Sequence, residues 1–233
     1  MIDILYIKGV KSPNEDNELL YSLRSLSKNV KDSGRVFVTG KCPSFVKNVI
    51  YTPCDDIGCR MINHWWKVTQ TILQTDISDN FVLMYDDIFF MKETSLENYP
   101  FYNRGNLGEN STGTPLYRKN LQEAWKWLYE RGYNRLDFEL HIPCIYNRDK
   151  FLKLRKFYEP YIDKPIAPAV RSMYANINKI PTEYREDVKI RNRFDSIGGY
   201  ECFSTADDTF KYVLPMLQQQ FPERCKYENS VLS

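Results

Sequence analysis

The segment that decides the fold is residues 80–87, which reads Asn-Phe-Val-Leu-Met-Tyr-Asp-Asp. Its apolar residues follow one another without alternation, which is typical of a strand that is covered on both faces. The apolar run stops at two adjacent acids, Asp86 and Asp87. We therefore predict a buried central strand over residues 80–85, with two carboxylates at its end.

Strands and helices alternate on both sides of this segment. Residues 2–7 form a short apolar run that predicts a first strand, and residues 17–26 carry four leucines on one helical face. The same patterns predict strands or extended chain over residues 35–39, 49–51 and 138–146, helices over 60–73, 121–131, 149–157 and 169–178, and a last helix opened by a capping box at 204–207. This alternation predicts an α/β sheet flanked by helices.

Residues 101–120 interrupt the alternation. They are rich in Gly, Asn, Ser and Thr and show almost no apolar periodicity, so we expect a long flexible loop. A loop of that length is either a functional lid or a solvated insertion. Since no repeat or domain linker is evident, we expect one domain over residues 1–233.

The composition excludes several classes of protein. Of 233 residues, 42% are hydrophobic and 15% aromatic, which is too rich for a disordered chain. No stretch approaches the roughly 20 apolar residues that span a bilayer, and the N-terminus lacks the basic and apolar regions of a signal peptide, so we expect a cytoplasmic protein. The cysteines and the two histidines lack zinc-site spacing, and we expect reduced thiols.

The charge is distributed unevenly. Residues 1–116 carry 12 basic and 14 acidic side chains, a net charge of −2, whereas residues 117–233 carry 20 and 16, a net charge of +4. A general DNA-coating protein would be more basic than this. The balance favours an anionic small molecule or a locally contacted polyanion as the partner.

Three kinds of residue are candidates for chemistry. Asp86 and Asp87 lie together at a strand end, where a divalent cation would neutralise them, although a turn with solvated acids fits the spacing equally well. His141 precedes Ile142-Pro143 and is a candidate general base, although a structural role is the commoner one for a lone histidine. Arg171 could bind a phosphate, or lie on a helix surface.

The order of these motifs resembles one family. Residues 17–25 read Asn-Glu-Leu-Leu-Tyr-Ser-Leu-Arg-Ser, which is similar to the (D/N)ELRYSLRS pattern of the Stealth proteins, and residues 81–90 are similar to that family's FxYxNDDxFF strand. The His141-Ile142-Pro143 and Arg171-Ser172 segments and the acids Asp207-Asp208 follow in the family's order. The resemblance covers about residues 1–210. Tyr85 departs from it, because the family has Asn before the two acids.

The resemblance implies a fold, a substrate and roles for single residues. Stealth proteins are sugar-phosphate transferases of capsule synthesis, so it implies a GT-A-like fold with a mixed central sheet and a nucleotide-sugar donor of the uridine diphosphate (UDP) type. It places Mg²⁺ or Mn²⁺ at Asp86, Asp87 and Asp208, and gives proton transfer to His141 and phosphate stabilisation to Arg171. It assigns Glu18, Arg24 and Ser25 to donor binding.

The acceptor and the bond that breaks stay open at this stage. The family implies a glycan acceptor, with attack either at phosphorus or at the anomeric carbon. The alternative is a phage-type enzyme that glycosylates hydroxymethylated bases in DNA, whose phosphates would contact a basic run consisting of Arg148, Lys150, Lys153, Arg155, Lys156, Lys189, Arg191 and Arg193. That run is also consistent with a solvated surface. A sugar-nucleotide-binding module without activity is the third possibility.

Overall fold

The computed structural model describes residues 1–9, 13–110, 113–193, 197 and 199–229. The strands in these residues are β1 (Ile2–Lys8), β2 (Ser33–Gly40), β3 (Ile50–Pro53), β4 (Asn80–Met84), β5 (Ile88–Phe90), β6 (Tyr102–Asn103), β7 (Cys144–Asn147), β8 (Glu183–Tyr184), β9 (Lys189–Ile190) and β10 (Cys202–Thr205). The helices are α1 (Asn17–Asn29), α2 (Arg60–Gln74), α3 (Pro115–Glu130), α4 (Arg148–Leu152), α5 (Arg155–Tyr158), α6 (Val170–Ile177) and α7 (Phe210–Gln220). Among them, no helix is both long and apolar enough to cross a membrane.

The central sheet has the strand order β3-β2-β1-β4-β7. β1 is parallel to β2 and β4, β2 is parallel to β3, and β7 runs antiparallel to β4. The sheet is therefore mixed, and the predicted central strand is confirmed. Because β1 and β4 are parallel, their carboxyl ends meet at one edge, which places Lys8 beside the residues that follow Met84.

Alternate residues of the central strands pack on opposite faces of the sheet. Leu5, Leu83 and Phe81 share one core with α2, whose Trp65 is 1% exposed, and with α3 and α6. Ile4, which pairs with Val82 across the sheet, shares the second core with Leu19, Leu23 and Leu26 of α1. Covering both faces explains the unbroken apolar runs in β1 and β4.

A second, three-stranded sheet begins where β4 ends, because its strand β5 follows β4 in the chain. Its order is β5-β10-β9, with β10 antiparallel to β5 and parallel to β9. Ser204 of β10 pairs with Ile88 on one side and with Lys189 on the other. Since Ile88 follows Asp87 directly, this register places the side chains of Lys189 and Ser204 next to Asp87.

Several predicted elements differ from the observed ones. Residues 101–120 contain β6, a 3₁₀ helix at Leu107–Glu109 and the start of α3, so the expectation of a long unstructured loop is corrected for the described part of this segment. The missed start signal is Thr114-Pro115: the Thr114 hydroxyl accepts a hydrogen bond from the Tyr117 amide, and proline suits the first helical position.

The capping box predicted at residues 204–207 is also wrong. Ser204 and Thr205 belong to β10, and α7 begins only at Phe210. The helix predicted over residues 149–157 is two short helices, α4 and α5, and the extended segment 138–146 forms a strand only from Cys144 onward. These local patterns did not resolve which residues pair within a sheet, because pairing depends on distant parts of the chain.

Candidate active site

A cavity of about 920 Å³ lies at the carboxyl ends of β1 and β4. This volume falls within the range of about 300–1,000 Å³ that is usual for ligand sites. Residues from distant segments line it, among them Lys8, Glu18, Arg60, Asn63, His64, Lys67, Tyr85, Asp86, Asp87, Tyr117, Glu139, His141, Arg171, Lys189, Asp207 and Asp208. The structure thus brings together six of the predicted residues, namely Glu18, Asp86, Asp87, His141, Arg171 and Asp208.

Two lysine–aspartate pairs form one half of the cavity, which we call the lysine half (Lys8, Asp86, Asp87 and Lys189). Lys8 Nζ lies 3.2 Å from Asp86 Oδ2 and 2.8 Å from Asp16 Oδ1. Asp87 Oδ2 lies 3.2 Å from Lys189 Nζ and accepts a hydrogen bond of 2.9 Å from the Ser204 hydroxyl. The two acids predicted to need a charged partner therefore each have a lysine.

The net pKa shifts of the two acids have opposite signs. Burial raises the pKa of Asp86, with Lys8 opposing and Asp87 adding to the rise. Burial also acts to raise the pKa of Asp87, but Lys189, His141 and the Ser204 hydrogen bond outweigh it, so the net pKa is lowered. Asp87 is therefore the more firmly ionised of the two carboxylates.

Glu18, in the first turn of α1, adds a third acid at this end of the cavity. Only 5% of it is exposed, and the Asn14 side-chain amide donates a hydrogen bond to its Oε1. Burial raises the pKa of Glu18 to about 7, and the negative charges of Asp86, Asp207 and Asp87 add to the rise. Its charge consequently changes near neutral pH.

His141 is positioned by Asp187. The His141 backbone N–H donates to Asp187 Oδ1 at 2.9 Å, and the ring Nδ1 lies 3.0 Å from Asp187 Oδ2. Burial lowers the pKa of His141 to about 4, with Lys189 adding to the fall and Asp187 opposing it. A neutral ring whose Nδ1–H donates to an ionised carboxylate has its lone pair on Nε2, as a general base requires.

The carboxylate of Asp187 is itself firmly ionised. Arg191 Nη2 lies 2.8 Å and Arg104 Nη1 3.3 Å from Asp187 Oδ2. Burial acts to raise the pKa of Asp187, but His141 and Arg191 outweigh it, and the net pKa is well below the usual range. This ionised group keeps the imidazole in one orientation and one tautomer.

The other half of the cavity, which we call the arginine half, consists of Arg60, His64, Tyr85 and Arg171. Arg171 is 1% exposed, and its Nη1 donates to the backbone carbonyls of Leu140 and Ile142. The Tyr85 ring lies over the guanidinium, with 4.5 Å between the Arg171 Cζ and the ring centroid. Arg60 is the first residue of α2 and is solvent-exposed. Burial, Arg171 and Arg60 together lower the pKa of His64, so this histidine is neutral.

Arg24 and Ser25, which the resemblance assigns to donor binding, are not among the residues that line the cavity. Arg24 forms a two-pronged ion pair with Glu228, with Nε–Oε1 and Nη2–Oε2 distances of 2.8 and 2.7 Å. The Ser25 hydroxyl accepts from the Phe90 amide and donates to the Ser22 carbonyl, joining α1 to β5. Each residue adds about 1.5 Å along a helix, so Arg24 and Ser25 lie about 9 and about 10.5 Å beyond Glu18 along the helix axis.

The residues predicted to hold a cation are Asp86, Asp87 and Asp208. Asp86 and Asp87 are adjacent oxygen donors at the cavity, and Asp208 lines it with an exposed side chain. Over the ranges that the structure describes, no group of three or more His, Cys, Asp or Glu is arranged to bind a metal ion. The residues do not form a protein-only cation site, but two carboxylates fit a Mg²⁺ that is also bound by substrate phosphates.

The basic run does not form one free surface. Lys189 lies in the cavity, Arg148 pairs with Asp79 at 2.9 Å, and Arg155 pairs with Glu159 at 2.7 Å. Arg191 contacts Asp187. Lys150, Lys153 and Lys156 are exposed on α4, α5 and the turn between them. The ion pairs favour the interpretation of these residues as solvated surface and site groups over that of a DNA-binding face.

Lys8, Arg60 and Asp187 were not predicted as site residues, and Lys189 was named only in the basic run of the DNA alternative. Lys8 had a detectable signal in the sequence, since it ends an apolar strand and a lysine buried there needs a charged partner. In the structure, Lys8 is 2% exposed. Asp187 had no such signal, because it lies 46 residues from His141 and the two meet only in the folded chain.

No family model matches the chain, and no curated protein matches its sequence. Among solved structures, the galactosyltransferase LgtC in complex with donor and acceptor sugar analogues is similar over 98% of both chains, with a TM-score of 0.51 and 10% sequence identity. The fold is GT-A. An active-site variant of LgtC matches with a TM-score of 0.46 and 11% identity, over 82% of this chain and 75% of that one. At these identities the similarity concerns the fold alone.

Proposed function

We propose that this protein is a nucleotide-sugar-dependent glycosyltransferase with His141 as the general base. The observation that carries the proposal is the His141–Asp187 pair, which presents a neutral, oriented imidazole in the same cavity as Asp86 and Asp87. The GT-A fold is consistent with this, and the similar structure of LgtC contains donor and acceptor sugar analogues. Fold similarity is only an analogy for function, so the proposal depends on the site.

The donor diphosphate is assigned to the lysine half of the cavity. Lys8 and Lys189 supply two positive charges there, and Asp86 and Asp87 supply oxygen ligands for a Mg²⁺ or Mn²⁺ bound jointly with the diphosphate. Such a cation would stabilise the negative charge of the departing diphosphate. The lysines make the same contribution from the protein side.

The chemical step then involves three groups. The acceptor hydroxyl oxygen forms a bond to the anomeric carbon of the donor sugar while the bond from that carbon to the diphosphate oxygen breaks. His141 Nε2 takes the hydroxyl proton, and Asp187 stabilises the imidazolium that forms. The nucleoside diphosphate leaves with the electron pair of the broken bond.

The acceptor is proposed to be a glycan hydroxyl. The Stealth resemblance favours a variant of the reaction in which the hydroxyl attacks the phosphorus next to the sugar and a sugar phosphate is transferred. The nucleotide product separates the two variants: glycosyl transfer releases a nucleoside diphosphate, whereas sugar-phosphate transfer releases a nucleoside monophosphate.

A thermal-shift panel tests the proposed donor class. Nucleotide sugars and free nucleotides are added with and without Mn²⁺, and a ligand that binds only the native state raises the melting temperature. We expect a larger shift with at least one UDP-sugar than with uridine, and a further increase with Mn²⁺. No shift with any nucleotide sugar would contradict the proposal.

A further inference from the structure

The arginine half of the cavity contains hydrogen-bond donors for which the fold provides no acceptor. Nε and Nη2 of Arg171 are buried and have no hydrogen-bond partner among the described residues, although Arg171 lines the cavity. Leaving charged donors buried without acceptors is costly. A ligand that supplies acceptors here would remove that cost.

The edge of the Arg171 guanidinium that makes no hydrogen bond determines which kind of acceptor fits it. Its Nη1 is occupied by the carbonyls of Leu140 and Ile142, and the Tyr85 ring covers one face of the guanidinium. The remaining edge carries Nε–H and Nη2–H, which point in parallel and form a fork. This fork matches two oxygens of one planar carboxylate or of a phosphate.

Two further features add positive potential to the same half. The exposed guanidinium of Arg60 lines the cavity, and the N-terminus of the 15-residue helix α2 begins at this residue. The N-cap residue, Cys59, makes no side-chain cap hydrogen bond. The first-turn amides of a helix have no partner within the helix, and they favour an anion.

The nearby acid does not satisfy Arg171. Glu139 is 7% exposed, and its Oε1 accepts hydrogen bonds from the amide and hydroxyl of Ser172. His64 is neutral, as argued above. Arg171 therefore keeps two buried donors, Nε and Nη2, for an additional anion.

We propose that the arginine half binds the carboxylate of an acidic sugar, such as a hexuronate, with Arg171 as the bidentate partner. This inference rests on the proposed function, which assigns the donor diphosphate to the lysine half. The arginine half is then available for another part of a substrate. Tyr85 of the arginine half directly precedes Asp86 of the lysine half, so the two halves adjoin. A sugar between them would direct its anomeric carbon towards the diphosphate and its carboxylate towards Arg171.

The donor arm of the test compares UDP-glucuronate, UDP-glucose and UDP by isothermal titration. We expect UDP-glucuronate to bind at least about tenfold more tightly than UDP-glucose, as one charged hydrogen-bonded pair provides. Arg60→Ala, at an exposed residue, and Arg171→Lys, which keeps the charge but removes the fork, should both reduce that preference. Arg131→Ala, at an exposed arginine that stacks on Trp127, is the matched control.

The acceptor arm determines whether the bound carboxylate belongs to the acceptor sugar instead of the donor sugar. Transfer from UDP-glucose is compared for methyl glucuronide and methyl glucoside, in the wild type and in Arg60→Ala. A preference for the acidic sugar in either arm that the Arg60 variant reduces supports the inference. Equal treatment of acidic and neutral sugars in both arms overturns it, as does an Arg171→Lys variant that weakens UDP and UDP-glucuronate equally.

Failure of the proposed function has a different signature. If no nucleotide sugar of the thermal-shift panel binds, the transferase proposal fails, and direct titration of methyl glucuronide against methyl glucoside still tests the arginine half. Selective binding of the glucuronide would then support the carboxylate site alone. No selectivity would overturn it.

Discussion

Asp187 makes hydrogen bonds to both the backbone N–H and the ring Nδ1 of His141, at 2.9 and 3.0 Å. One carboxylate therefore determines the position, orientation and tautomer of the histidine. Because the pKa of His141 is lowered to about 4, the ring is an unprotonated base at neutral pH.

Replacing His141 by Ala should lower kcat by about 10²- to 10⁴-fold, the usual contribution of a general base. Donor affinity should change little, since the lysine half stays intact. Asp187→Asn should lower kcat in the same direction, because the amide cannot stabilise the imidazolium. Equal kcat values for the wild type and His141→Ala would remove the general-base assignment.

The pH dependence has a defined sign for His141. Activity should fall as the pH falls through about 4, where the ring becomes protonated. Between the ordinary histidine pKa of about 6.5 and this value the unfolded chain binds a proton that the native chain does not, so stability also falls as the pH is lowered. Denaturation of His141→Ala over the same range should show a smaller slope.

Glu18 should produce the opposite slope. Its native pKa of about 7 lies above its ordinary value, so its contribution to stability is lost as the pH rises towards 7. Its ionised form also places a negative charge near Asp86 and Asp87, and donor affinity should decrease above pH 7. Glu18→Gln should flatten both dependences. A donor dissociation constant with the same pH dependence in the variant would contradict this role.

Asp87→Asn should abolish most turnover and reduce the response to Mn²⁺ while leaving the protein folded. The asparagine oxygen can still accept the Ser204 hydrogen bond, but the charge that faces Lys189 and a cation is lost. Asp208→Asn, at an exposed residue that lines the same cavity, is the matched comparison. Near-wild-type turnover with unchanged Mn²⁺ dependence in Asp87→Asn would exclude a cation role for Asp87.

Arg24→Ala should affect stability and not donor binding. The substitution leaves Glu228, which is 7% exposed, without its partner and should lower the free energy of unfolding by about 1–3 kcal/mol. Donor affinity measured on the folded variant should equal that of the wild type. A lower donor affinity of Arg24→Ala with an unchanged free energy of unfolding would support the assignment of Arg24 to donor binding.

The order of the main elements was predictable from the sequence, whereas their pairing was not. The unbroken apolar runs of β1 and β4 reflect burial on both faces, and this signal is local. The β10 segment was mistaken for a helix start because Ser204 and Thr205 suit a cap as well as a strand. Only its pairing with Ile88 and Lys189 makes it a strand.

The site residues, too, were predictable only where a local sequence feature marks them. Asp86, Asp87 and His141 follow or precede recognisable local features, so the sequence could nominate them. Arg24 pairs with Glu228 outside the cavity lining, which the sequence did not indicate, because a motif gives the residue type but not the face of the helix that meets the cavity. Asp187 and Lys189 enter the site through the second sheet, and no local pattern marks such long-range contacts.

The most direct test of the central claim is to measure nucleotide release from a panel of nucleotide sugars, with glycan acceptors and Mn²⁺, in the wild type and His141→Ala. We expect the wild type to convert at least one UDP-sugar to UDP and a glycosylated acceptor, and His141→Ala to lose most of this activity. Absence of turnover across the panel, or equal turnover in the variant, would contradict the central claim.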